Sequence, residues 1–178
     1  MVTVIDRDLG YKRIFKDIKD LDGKGVKVGI MGGESVDGVA IVDYAVWNEF
    51  GTKTIPARPF MQHTADLHAD ETIQYSGFLI GRMIDGAIKP DKLLKNLGEF
   101  YVKRMKMVVR NAKEWAQENA DSTIARKGSS SPLIDIGRMV NAIDYEVTSG
   151  GKTGGSVGGI TKAVGALGKV AGRFAGLR

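Results

Sequence analysis

Apolar residues recur along this chain at two spacings, and the switches between them lay out its elements. Residues 8–21 place Leu9, Ile14, Phe15, Ile18 and Leu21 on one side and Arg13, Lys16, Asp17 and Asp20 on another, which predicts a short amphipathic helix. It ends at the turn signal Asp22-Gly23-Lys24-Gly25, after which Val26, Val28 and Ile30 alternate with Lys27 and Gly29, the period of a half-buried strand stopped by Gly32-Gly33. Residues 39–42 are mostly β-branched and read equally as a second strand or as the approach to a helix. Two long helical segments are predicted over residues 60–86 and 91–119, with Pro90 as the break between them and Asp91 as the cap of the second. In the second, residues from Leu93 to Trp115 recur every three or four positions opposite a row of lysines, a wide buried stripe under a basic face. Gly77 and Gly81 stand four apart in the first and predict a point where another backbone crosses closely. Residues 121–132 read as an exposed, mobile loop carrying Arg126 and Lys127, and 133–141 as a short helix. Ile143, Tyr145 and Val147 then alternate with Asp144, Glu146 and Thr148 as a second strand. Two strands far apart in sequence with helices between them predict an α+β fold, long helices packed on a small, mostly antiparallel sheet.

Between the first strand and the long helices lies the stretch 43–60, in which local chemistry dictates a corner. Asp43 can cap a short helix running through Ala45, Val46 and Trp47 to Glu49 and Phe50, and Gly51 stands where a residue of positive φ would end it. Ile55 and Arg58 each precede a proline, Pro56 and Pro59, so both are held extended, and Pro59 suits the start of the next helix at Phe60. A cation is unfavourable at a helix start, so Arg58 is expected to pair with a carboxylate, for which Glu49 is the candidate. Such a corner aims two helices and offers no nucleophile, base or ligand set.

Composition narrows the chemistry. The 178 residues suffice for one ordinary domain, expected over 1–148, and the absence of cysteine excludes disulfides, thiolate zinc sites and thiol catalysis. No stretch approaches the roughly 18 uninterrupted apolar residues of a membrane span, and the first residues lack the pattern of a signal peptide, so a soluble protein with no membrane role is expected. The net charge of +5 is confined to one end: residues 149–178 hold Lys152, Lys162, Lys169, Arg173 and Arg178 and no acid, while the other 21 bases balance 21 acids. The same tail holds 10 of the 24 glycines, so 150–159 reads as a flexible linker, and 160–177 as a weak helix former expected to order only against a partner. Its bases suit nucleic-acid phosphates or an anionic surface.

No cofactor or metal is expected. Gly151-Lys152-Thr153 has the letters that end a phosphate loop, but Glu146 stands where the pattern needs its first glycine. His63 and His68 are five residues apart, which puts them on different faces of a helix. No His-Glu-x-x-His helix, serine elbow or paired carboxylates in a pocket are read in the chain, and a non-enzyme is expected.

Two blocks of sequence carry a resemblance. The first is Trp47-Asn48-Glu49-Phe50-Gly51-Thr52 with Ile55-Pro56-Ala57-Arg58-Pro59-Phe60. The second is Ser122-Thr123-Ile124-Ala125-Arg126-Lys127-Gly128 with Pro132-Leu133-Ile134-Asp135-Ile136-Gly137-Arg138-Met139 and Ile143-Asp144-Tyr145-Glu146-Val147. In this order they are similar to the signature of tailed-bacteriophage neck and tail-completion proteins, the group that includes the lambda minor tail protein Z and the Mu virion-morphogenesis proteins. Ile136 replaces the threonine more usual there, leaving Asp135 as the local helix cap. The resemblance spans residues 39–147 and implies a structural virion protein, put together in the host cytoplasm. Its copies would form a ring, of hexameric size, around the DNA channel where the DNA-filled head meets the tail. The implied partners are further copies of itself, the head connector, the tail terminator or tail tube proteins, and genomic DNA in the channel. The expected contacts with neighbours are Glu49, Phe50, Gly51, Pro56, Arg58, Pro59, Phe60, Arg126, Lys127, Asp135 and Arg138. The five bases of the tail would meet DNA or another virion protein. A stand-alone nucleic-acid-binding protein using that tail is the alternative.

Overall fold

A computed structural model describes residues 8–32, 38–128, 130–133 and 137–149. Among them are two strands, β1 (Lys24–Ile30) and β2 (Ile143–Ser149), and seven α-helices: α1 (Tyr11–Leu21), α2 (Ile41–Phe50), α3 (Phe60–Leu67), α4 (Ala69–Ile84), α5 (Pro90–Arg110), α6 (Asp121–Lys127) and α7 (Arg138–Asn141). The strands pair antiparallel, Lys24 opposite Ser149 and Ile30 opposite Ile143, so the second and the last elements of the described chain close into one sheet. This is the α+β arrangement expected, with the sheet reduced to two strands.

A two-stranded sheet is marginal by itself, and α5 supplies the surface it needs. Both strands lie along this helix, 21 residues and about 30 Å long, which holds two apolar clusters together. One joins Val26 of β1 to Leu79 and Met83 of α4 and Leu93 and Leu94 of α5; Leu21 at the end of α1 packs on it. The other gathers Ile41 and Ala45 of α2, Phe60 of α3, Met105 and Val109 of α5 and Ile143 of β2. The helix and sheet are in tight contact at Gly98, where the Tyr145 ring occupies the space a side chain would need.

Several boundaries depart from the sequence expectation for identifiable reasons. The single helix expected over 60–86 is two, α3 and α4, meeting at His68 with φ −111° and ψ 17°. Around the bend, the Thr64 hydroxyl donates to the Phe60 carbonyl, Thr72 to His68 and Ser76 to Thr72, back-bonding that bends helices. The helix expected over 91–119 ends at Arg110, because Trp115 folds back and its indole N–H donates to the Val108 carbonyl at 3.0 Å. At its start, Lys89 is the N-cap, Pro90 the first helical residue and Asp91 a first-turn carboxylate, an exposed ion pair with Lys24. The loop expected over 121–132 contains α6, closed by Gly128 in the left-handed region at φ 64°. The expected helix over 133–141 is described only as the single turn α7. Nothing lies within 4 Å of a Cβ built at Gly77 or Gly81, so no helix among the described residues crosses there.

Candidate assembly site

The corner is built from residues close in sequence, each using its polar groups internally. Helix α2 starts two residues earlier than Asp43, with Ala40 at the N-cap, which resolves residues 39–42 as its approach. Asp43 is therefore a first-turn carboxylate favoured by the helix dipole rather than the cap. At the other end Gly51 has φ 75° and ψ 175°, a combination available essentially only to glycine, and a Cβ there would stand 2.9 Å from the Ala57 nitrogen. The next residues close a tight turn: Thr52 N–H donates to the Ile55 carbonyl at 2.8 Å, and the Thr52 hydroxyl accepts from the Thr54 and Ile55 amides. The strut then returns to α2, Arg58 N–H donating to the Asn48 carbonyl at 2.6 Å. Pro59 sits at the N-cap of α3, one residue before its first helical residue, Phe60, whose side chain is fully buried.

Glu49 and Arg58 do not pair. The Glu49 carboxylate is buried and accepts from the Met61 amide at 2.9 Å and the Gln62 amide at 3.1 Å. It thus caps α3 from α2, satisfying two amides that the helix cannot, with the dipole adding to the attraction. Arg58 is directed the other way. Its Nε donates to the Gln117 carbonyl at 2.7 Å, Nη2 to the Glu118 carbonyl and Asn119 Oδ1, and Nη1 to Asn48 Oδ1 at 3.4 Å. The cation at the helix start is accommodated by the carbonyls of the chain leaving α5, a set that sequence spacing does not reveal. Burial pushes the Arg58 guanidinium below its ordinary pKa, opposed by Tyr44, yet so basic a group keeps its charge.

Arg58 therefore ties the first sequence block to the threshold of the second. Asn119, which accepts from it, donates onward from Nδ2 to the Ser131 carbonyl at 3.2 Å. Beside the guanidinium is a cavity of about 370 Å³ lined by Tyr44, Asn48, Pro56, Glu118 and Thr123 among others. Its lining presents the Arg58 guanidinium, amides, hydroxyls and the Glu118 carboxylate among apolar residues, and no imidazole.

The remaining expected contact residues are dispersed. Phe50 projects from the corner, 77 % exposed, while Pro56 and Pro59 are half-buried. Arg126 and Lys127 occupy the last turn of α6, and Arg138 opens α7 on the surface. Asp135, Lys152, Lys162, Lys169, Arg173 and Arg178 lie outside the described residues, as do the linker and the tail segment. Contrary to the sequence expectation of no serine elbow, Gly154-Gly155-Ser156-Val157-Gly158 has the spacing of one. That motif takes its meaning from a strand before it and a helix after it. These residues stand in a glycine-rich run and also lie outside the described residues.

The two histidines serve different neighbours. His63 stacks on Trp115 with centroids 4.4 Å apart, and His68 Nδ1 lies 3.0 Å from Glu71 Oε2. Glu71 is also gripped by Arg104, whose Nε donates at 2.8 Å and whose Nη2 donates to the other carboxylate oxygen. The Arg104 hydrogen bonds hold the Glu71 carboxyl below its ordinary pKa, with His68 adding to the effect, and Arg104 is correspondingly raised. No group of three or more metal-ligating side chains occurs among the described residues. No helix among them is long and apolar enough to cross a membrane.

Leu9, Tyr11, Phe15 and Ile18 are exposed on and beside α1; Val42, Val46, Trp47 and Phe50 are exposed on α2; Ile73, Phe78 and Ile84 are exposed on α4. Comparison with known families, with characterised proteins and with solved structures finds no match.

Proposed function

We propose that this chain is a structural protein of a tailed-bacteriophage neck, completing the tail and joining it to the DNA-filled head as a ring of copies around the DNA channel. One observation carries the reading. At the corner, Glu49 is committed to the start of α3 and Arg58 to carbonyls beyond α5, while Val46, Trp47 and Phe50 face outward. Exposed apolar side chains on a rigid corner suit contacts between protein subunits. Separate apolar faces on α1, α2 and α4 suit a ring, in which each copy meets its two neighbours through different surfaces and closure follows from rotation. The two sequence blocks support the same assignment, and the balanced charge of residues 1–148 leaves DNA or a further virion protein to the basic tail.

The test is electron microscopy of particles made when the gene is disrupted. Separate DNA-filled heads and finished tails are the expected outcome. Joined, infectious particles would refute the assignment. The nucleic-acid alternative is favoured by the acid-free tail alone. It requires tight, salt-dependent DNA binding by the isolated protein that is lost on removing residues 149–178, with particles still assembling.

A further inference from the structure

Helix α1 is amphipathic, yet much of its apolar side is not used by the body of the protein. Ile14 and Leu21 turn partly inward, whereas Tyr11, Phe15 and Ile18, at spacings of four and three, form an exposed stripe. Tyr11 and Phe15 stack on each other with centroids 6.1 Å apart. Lys12, Lys16 and Lys19, all exposed, run along one flank, and Lys19 Nζ lies 4.6 Å above the Phe15 ring. The helix is fixed from its other side: Asp17 is buried and paired with Arg13 at 3.2 Å, and Arg13 also donates to the Met83 and Ile84 carbonyls at the end of α4. The stripe thus stands on a rigid support.

Helix α2 carries the matching surface. Ile41, Ala45, Asn48 and Glu49 face inward, so Val42, Val46, Trp47 and Phe50 form its outer face with Asp43 among them. Glu49 is engaged with α3, which leaves Asp43 as the carboxylate on that face. One surface is therefore apolar with a basic flank, the other apolar with an acid. Helices α1 and α2 belong to different clusters, at the Val26 and Ile30 ends of β1 respectively, some 13 Å of strand apart. A single copy does not bring them together.

We infer that the Tyr11/Phe15/Ile18 face of α1 in one copy packs on the Val42/Val46/Trp47/Phe50 face of α2 in the next, with Asp43 set against Lys12 and Lys19. This rests on the ring reading above and names the surfaces that would form it. Charge decides between the occupants within reach. The chain's own tail segment, residues 160–177, has apolar residues at helical spacing, but residues 149–178 carry five bases and no acid and would meet the α1 lysines with like charge. The α2 face brings a carboxylate instead. Because the two faces differ, the contact is head-to-tail and propagates around a ring.

The experiment uses the full chain and measures its mass in solution as a function of concentration. Phe15→Asp and Phe50→Ser each change an exposed side chain, so circular dichroism and melting are expected to match the parent. Each is expected to raise the half-assembly concentration at least ~30-fold, the loss of one well-buried interface residue. The decisive arm is their mixture. Phe15→Asp keeps a sound α2 face and Phe50→Ser a sound α1 face, and the junction left over brings no opposite charges together, so the two form a dimer and stop there. Asp43→Lys likewise weakens assembly, and Lys12→Asp with Lys19→Asp in the same chain restores it. If the parent forms rings and both phenylalanine variants do too, this interface is wrong while the ring reading stands. Loss with one variant only, or no dimer in the mixture, also overturns the pairing. If the parent is monomeric at every concentration, both fall. If Phe15→Asp abolishes binding to vesicles of phosphatidylserine and phosphatidylcholine without affecting assembly, α1 serves a lipid surface and the inference is overturned.

Discussion

Gly98→Ala should destabilise the protein, although the same change in an exposed helix interior would stabilise it. Gly98 lies inside α5 and is buried, and a Cβ built there falls 2.3 Å from Tyr145 Cδ2, 2.5 Å from Cγ and 2.8 Å from Cε2. Ordinary contacts begin near 3.4 Å, so the ring would have to retreat by about 1 Å. Tyr145 is held in β2 opposite Val28, so the ring retreats only if the sheet shifts on α5 or the side chain leaves its rotamer. Helix propensity favours alanine by about 1 kcal/mol, while overpacking of this kind costs about 1–3 kcal/mol, and three atoms in conflict place it in the upper half. The net loss should be about 1–2 kcal/mol, read as a lower urea midpoint at unchanged slope. In a Tyr145→Ala background the conflict disappears and Gly98→Ala should stabilise by about 0.5–1 kcal/mol. Stabilisation by Gly98→Ala in the parent, or effects of the two changes that add within about 0.5 kcal/mol, would refute the reasoning.

Three further outcomes follow from the corner and the Glu71 cluster. Gly51→Ala should cost about 1–3 kcal/mol in urea unfolding, since φ 75° with ψ 175° suits glycine alone and the new Cβ would crowd the Ala57 nitrogen; a neutral effect contradicts that backbone geometry. In double-mutant cycles, Asn48→Ala and Arg58→Met should couple by about 0.5 kcal/mol or more, whereas Glu49→Gln and Arg58→Met should add, and strong Glu49–Arg58 coupling would restore the pairing the sequence suggested. Because Arg104 and His68 hold the folded-state Glu71 carboxyl below its ordinary value, the unfolded chain takes up that proton first as pH falls. The stabilisation is therefore complete above about pH 4.3 and lost as pH drops through the lower folded value. The stability difference between the parent and Glu71→Gln should shrink over that acid range, and a difference constant with pH contradicts the account.

The strands and the class of fold were legible because alternation over 26–30 and 143–147 is a local signal with one good explanation. The helix breaks were less so. The bend at His68 depends on Thr64, Thr72 and Ser76 turning their hydroxyls onto carbonyls, and the end of α5 depends on Trp115 folding back, both choices made by packing. At the corner, prolines and Gly51 announced the path of the backbone, but not the destinations of Glu49 and Arg58. The carboxylate's reach to Met61 follows from the angle between two helices, and the guanidinium's acceptors lie some 60 residues away. The amphipathicity of α1 was plain in the sequence, whereas the burial of Asp17 and the exposure of Phe15 were not. Periodicity identifies an apolar side without saying whether the same chain covers it.

The proposed neck assignment is tested most directly by imaging the head–tail junction of a phage particle. A cryo-electron microscopy reconstruction of the head–tail junction, with the chain carrying a fused density marker, should show the marker repeated in a ring around the channel between connector and tail. A purified, infectious particle that lacks the chain at that junction would contradict it.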